Sequence, residues 1–326
     1  MKRQCEQGSA LLTVLLLIGV IGGMAALALD RLRTSMHVVT NGVALDQARA
    51  FALAAEAIAA SRIDELTRRS SGKVTLAGGW NGRQTRLPLP GGVATVSISD
   101  GGNCFNLNSV AQGDVGSGLS LRPAGVNQFR ALMKAVGVPE EQARTVAASL
   151  GDWVDSDRTP VPGGAEDETY AQTAIPYRAA NTLLADVSEL RAVAGVTPAV
   201  YDGLKRWLCV LPTAELSPIN VNTLTLEQAP LLAMLLPEQL SLASARTIIA
   251  ARPADGWGRM EDFWGLPALV SLQLGDALGQ AAITTRWFNL NLDIELAGAE
   301  LNERGLIDAR SSPARIVARS WGNPLG

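Results

Sequence analysis

The sequence predicts an α+β protein: one long N-terminal helix, partly transmembrane, and a β-sheet domain that a large all-α domain interrupts. Three observations carry this. Ser9 to Leu29 is a run of 21 residues without a charge. Strand-like alternation appears at Ala94, Val96 and Ile98, and again far downstream at Phe288, Leu290, Leu292, Ile294 and Leu296. The stretch between them, about 170 residues, reads as helix–turn–helix units, and helices flanked by strands on both sides are most simply an insertion into one sheet domain.

The apolar run is long enough to span a bilayer. At 1.5 Å per residue it reaches about 31 Å as a helix. Before it lie eight residues that carry Lys2 and Arg3 and stop at Gly8. A secretory signal has a shorter apolar stretch followed by its cleavage site. Here the cleavage-like feature precedes the run, so processing would remove a basic leader and keep the helix. This arrangement resembles the class III signal of type IV pilins and pseudopilins. The resemblance implies cutting by prepilin peptidase after Gly8, with Ser9 as the new, methylated N-terminus. Major pilins carry Glu at the fifth mature position, where it pairs with the terminal amine of the subunit ahead; this chain has Thr13. A buried carboxylate without a partner is costly, so a subunit with none ahead of it has no use for that Glu.

Beyond the membrane the helix continues, with a disturbance expected at Asn41-Gly42. Leu45, Ala48, Ala52, Ala55, Ala59, Ile63 and Leu66 keep a three-four spacing and form one mostly alanine face. The helix is expected to end by Ser70-Ser71-Gly72. Lys73–Leu76 and Arg83–Leu87 are weak strand candidates, and residues 94–98 a clean half-buried one. Leu306-Ile307 and Arg315–Trp321, joined through Ser311-Ser312-Pro313, complete the sheet. The layout is a leader over 1–8, a membrane helix over 9–29 and its continuation over 30–71. Sheet segments over 72–108 and 281–326 enclose the helical insert, 109–280.

Charge and cysteines bound the function. The insert holds 12 Lys and Arg against 19 Asp and Glu. Its hairpins, turning at Gly137-Val138-Pro139 and Gly195-Val196-Thr197-Pro198, invite a DNA-backbone role, but a net charge of −7 opposes phosphate binding. Packing and protein contact are the use that remains. Loss of Cys5 with the leader would leave Cys104 and Cys209, as either one disulfide in an oxidising compartment or two buried thiols. His37 is the single histidine. No Gly-rich phosphate loop, cysteine metal cluster or nucleophile elbow is present, so the chain reads as non-enzymatic.

One constellation could hold a ligand. DWVDSDRTPVPGGAEDE, residues 152–168, places Asp152, Asp155, Asp157, Glu166, Asp167 and Glu168 around turn-forming Pro and Gly residues, with only Arg158 in balance. Carboxylates without His or Cys suit a hard, oxygen-seeking cation, above all Ca²⁺. Counting from Asp155, Asp157 is third and Glu166 twelfth, as in an EF-hand, but the sixth place is Pro160 rather than Gly. The alternative is a solvated acidic loop.

CFNLNSV at 104–110, DWVDSD at 152–157 and PGGAEDETY at 162–170 are followed by YRAANTLLADVSELRAV at 177–193, CVLP at 209–212 and INVNT at 219–223. In this order the motifs resemble the K-type minor pseudopilins of type II secretion systems, nearly end to end. The resemblance implies a pseudopilin fold, one long helix packed on a β-sheet and interrupted by a large all-α domain, in a single-pass inner-membrane protein whose C-terminal region is periplasmic. It implies assembly with I- and J-type minor pseudopilins into a complex that caps the pseudopilus. It also implies calcium in the helical domain, with Asp152, Asp155, Asp157, Glu166 and Asp167 at the acidic motif, and pairing of Cys104 with Cys209. The runner-up is a minor pilin-like subunit of a type IV pilus or DNA-uptake filament.

Overall fold

The computed structural model describes residues 3–69 and 72–322, with backbone alone for residues 3–10 and 69. Lys2, Ser70 and Ser71 therefore lie outside the described residues. Helix α1, Arg3–Arg69, is continuous. Its apolar stretch is long enough to cross a membrane. It runs straight through Asn41-Gly42, contrary to the disturbance expected there. A single glycine costs a helix only about 1 kcal/mol, which neighbouring good helix formers carry.

Five strands form one antiparallel sheet in chain order: β1 Thr85–Leu89, β2 Gly92–Asp100, β3 Trp287–Leu296, β4 Ala299–Asp308 and β5 Arg315–Trp321. Along β3, Phe288, Leu290, Leu292, Ile294 and Leu296 are buried while Asn289, Asp293 and Glu295 are exposed. The buried side meets α1 at Ala48, Ala52 and Ala55 and, further along the helix, at Ala59 and Ile63. Ala44 rather than Leu45 begins the buried row. The helix lies close because alanine keeps its face flat. Residues 73–76 form no strand; Val74 instead donates its N–H to the Ile283 carbonyl at 2.7 Å.

Strands β2 and β3 are hydrogen-bonded neighbours, with Gly92 opposite Leu296 and Asp100 opposite Phe288. Everything from residue 101 to 286 is thus inserted between two adjacent strands. The exit is at the Phe288 end, which packs on Ile63, whereas the Leu296 end packs on Ala48 and Ala52. The insert therefore leaves the sheet at the end remote from the membrane segment.

The insert has its own core around Phe105, Phe129, Leu132, Leu150, Leu232 and Phe263. Its longer helices are α2 Pro123–Ala135 and α3 Glu140–Val154. The turn between them holds Gly137 at a positive φ of 98°. The domain is not wholly helical. Residues 105–106 pair in parallel with 208–209, 219–220 with 281–282, and 111–114 form a hairpin with 118–121. Strands this short leave no periodic trace in sequence. Cys104 and Cys209 are joined by a disulfide beside the first of these pairs.

Buried asparagines from CFNLNSV and INVNT satisfy loop backbone that no ladder reaches. The Asn106 amide donates to the carbonyls of Thr213 and Glu215, and its Oδ1 accepts from Leu211 N–H. Asn108 donates to the carbonyls of Leu184 and Leu211 and accepts from Leu184 N–H. A buried peptide group left unpaired costs about 1–3 kcal/mol, so each amide replaces several such penalties.

Candidate metal centre

Helix α3 delivers the acidic loop. It ends at Val154, and Asp155 turns into extended backbone as its C-cap. Asp157 bends the chain again, its carboxylate accepting from Thr159 N–H at 2.7 Å. Pro160, Pro162 and Gly163 carry the chain back until Glu166 precedes a short helix, α4, Asp167–Ala171. Gly164 is required at this return, because a Cβ there would collide with the Asp152 carboxylate.

The fold divides the five expected ligands. Asp155, Asp157 and Glu166 each place a carboxylate oxygen within 4.8 Å of the others. Asp152 and Asp167 do not join this cluster. Asp152 is fully buried and accepts from Val161 N–H at 3.2 Å, so it ties the loop to α3. Asp167 accepts from Ala179 N–H at 3.1 Å and so holds the following loop. Spacing alone could not make this division, because all five sit within one turn-rich segment.

Two of the three carboxylates are buried and underpaired, while Asp157 stands at the exposed side of the cluster. Asp155 is 2% exposed and Glu166 4% exposed. Asp155 Oδ1 and both Glu166 oxygens have no hydrogen-bond donor. Burial, reinforced by repulsion from Asp157 and Asp152, pushes Asp155 up to about 6. Burial and the Asp152, Asp155 and Asp157 charges push Glu166 up to about 7. Buried carboxylates are ordinarily paired. Three converging without a cation among the described side chains form a donor set that fits a hard divalent ion.

Where the insert joins the sheet, a second polar cluster forms. Asp100 Oδ2 accepts from the hydroxyls of Thr223 and Thr285, each at 2.6 Å. Its Oδ1 accepts from Gly102 and Asn103 N–H. Burial raises the Asp100 pKa against these hydrogen bonds. Asn103 in turn accepts from Asn220 N–H and donates to Thr223. Asp100 escaped the reading of the sequence, its only signal being an acidic residue at the end of an alternating strand.

A membrane-length helix laid by its small-residue face on an antiparallel sheet, with a helical domain set between two strands, defines a pseudopilin with an insertion. Two models of type II secretion system protein K match residues 103–213 and 219–286. Type II secretion system protein K of Pectobacterium carotovorum subsp. carotovorum is 32% identical, over 98% of each chain. That of Klebsiella pneumoniae is 33% identical over 97% of each. The GspK-GspI-GspJ complex of the enterotoxigenic Escherichia coli type 2 secretion system contains a chain of similar structure. It matches with a TM-score of 0.74 and 31% identity, covering 86% of this chain and 97% of that one. The chain belongs to the type II secretion system protein K family; it is a minor pseudopilin.

Proposed function

We propose that this minor pseudopilin caps the tip of the type II secretion pseudopilus, together with I- and J-type minor pseudopilins, and that its role is assembly rather than catalysis. The observation that carries the reading is the placement of the insert. It leaves the sheet beside Ile63, at the end of the molecule remote from residues 9–29. A domain of that bulk would obstruct any subunit added beyond it, and Thr13 dispenses with the carboxylate that would face one. The helix over 9–29 anchors the chain in the inner membrane once, with residues 30–326 in the periplasm. Prepilin peptidase would cut between Gly8 and Ser9. Ca²⁺ would be held by Asp155, Asp157 and Glu166, neutralising two buried carboxylates and an exposed one and fixing the end of α3 to α4.

Co-expression with prepilin peptidase and the I- and J-type subunits tests this. The expected product is a ternary complex in which this chain begins at a methylated Ser9. In pseudopili, a label on the insert should mark one filament end only. Label distributed along the shaft would overturn the tip assignment.

A further inference from the structure

Asn181 stands apart from the rest of its loop in two ways. It is one of three described non-glycine residues with positive φ, at 48°. Its side-chain Oδ1 is buried without a hydrogen-bond donor. The other end of the same amide is engaged, Nδ2 donating to the Asp157 carbonyl at 3.2 Å. The Asn181 backbone N–H donates to the Trp153 carbonyl at 2.9 Å. Asn181 is thus pinned to the chain on both sides of Asp155, at residues 153 and 157.

The loop around it is built to keep it there. Tyr177 lies 5.1 Å from Tyr170 and 6.1 Å from Trp153, ring centre to ring centre. Its hydroxyl donates to the Ala192 carbonyl at 2.8 Å. Two residues before Asn181, the Ala179 N–H is held by Asp167. Asn tolerates the left-handed region better than most residues because its short polar side chain bonds locally. Here that bonding uses the amide NH₂ and leaves the oxygen free.

We propose that Asn181 supplies a neutral side-chain oxygen to the same cation as Asp155, Asp157 and Glu166. The inference rests on the calcium reading above and adds to it. Ca²⁺ takes six to eight oxygens, commonly mixing carboxylates with amide carbonyls. Three carboxylates already exceed its charge, so a neutral donor extends the coordination without adding repulsion. Asp167 becomes a positioning residue, acting through the loop that carries Asn181.

The test is calcium titration by calorimetry on the full chain in detergent, for the wild type, Asn181→Gly and Asn181→Asp. Glycine accepts the left-handed backbone and removes the oxygen; its affinity should fall about tenfold or more, a loss seen even for groups that only support a ligand. Aspartate keeps an oxygen but loses the amide donor to Asp157; it should bind at least as tightly as the wild type. A purely structural role through Nδ2 would weaken both variants alike, and that result overturns the proposal. Bound Tb³⁺ should gain one coordinated water in Asn181→Gly, read from luminescence lifetimes in H₂O and D₂O. If the wild type binds calcium and Asn181→Gly binds it equally well, the Asn181 role fails and the calcium reading stands. If the wild type binds none, both fail. Should Asn181→Gly not fold, the aspartate variant decides alone: weaker binding than the wild type overturns the proposal.

Discussion

Glu303 lies 3.4 Å from Arg319 and shares it with Glu56, the helix residue that Arg319 grips with two guanidinium nitrogens. Glu303 occupies an inward position on β4, opposite Leu292 in the register with β3. Two carboxylates and one guanidinium therefore close the gap between α1 and the sheet, one positive charge short of one per acid for full ionisation. Burial, and then the neighbouring Glu56, push Glu303 up to about 8. Burial works the same way on Glu56 and is the largest single influence, but hydrogen bonds with Arg319 and Glu303 and the Arg319 charge together outweigh it and hold that carboxyl below the usual value.

Stability should therefore depend on pH through Glu303. Its folded pKa lies above that of an unfolded Glu, near 4.5, so the folded state retains a proton the unfolded chain has lost. The contribution is fully present below about 4.5 and is lost as pH rises through about 8. Glu303→Gln keeps the shape and removes the titration. At pH 9 the variant should be more stable than the wild type by about 2–4 kcal/mol, and near pH 5 about equal. Chemical denaturation at both pH values checks this. Equal stability at pH 9 would exclude an ionising Glu303.

Removal of calcium should destabilise the insert. A ligand at 100 times its Kd stabilises by about 2.7 kcal/mol if it binds only the folded state. Thermal unfolding with calcium and with chelator should show that gap in the wild type and none in Glu166→Gln. The variant should also unfold later than the wild type in chelator at neutral pH, because it no longer buries an unpaired carboxylate beside Asp155. The crossing of the two curves is what a solvated acidic loop could not produce.

Gly164→Ala tests the loop return. The added methyl would displace the Asp152 carboxylate from the Val161 N–H it serves. Loss of a buried charge-assisted hydrogen bond together with overpacking should cost about 2–4 kcal/mol and loosen calcium binding. Gly163→Ala is the control: Gly163 has a positive φ of 86° but lies away from Asp152, so it should destabilise without the same loss of calcium affinity.

What the sequence disclosed follows from periodicity and charge. Alternation over Phe288–Leu296 placed β3, and small residues at helical spacing placed the contact face of α1, because both patterns repeat across many residues. The acidic loop was visible as a whole, but its division was not. Whether Asp152 faces a cation or Val161 N–H depends on where Pro160 to Gly164 send the chain, which no spacing encodes. The asparagines of CFNLNSV and INVNT stood out as motifs without a reason, since their tertiary partners lie 35 to 146 residues away. Asn181 was in a quoted motif, yet its left-handed backbone and free oxygen exist only once Trp153 and Asp157 flank it.

The orientation of the insert rests on Asp100. This buried carboxylate accepts four hydrogen bonds, two from the chain leaving β2 and two from threonines of the returning insert. Asp100→Ala would strand two N–H groups and the Thr285 hydroxyl in the junction, while the Thr223 hydroxyl could still turn to the Asn220 carbonyl at 3.1 Å. At about 1–3 kcal/mol for each unsatisfied group, with partial relaxation, the variant should lose at least 3 kcal/mol. Asp100→Asn presents one acceptor oxygen where the carboxylate had two, so it should recover part of that loss. The insert has a separate core and its own disulfide, so Asp100→Ala should loosen its attachment before it melts it. Hydrogen exchange should accelerate first at residues 100–104, 220–223 and 285–287, while α2 and α3 keep their protection. Uniform acceleration through α2 and α3 would instead make Asp100 part of the folding core of the insert rather than its fastening to the sheet.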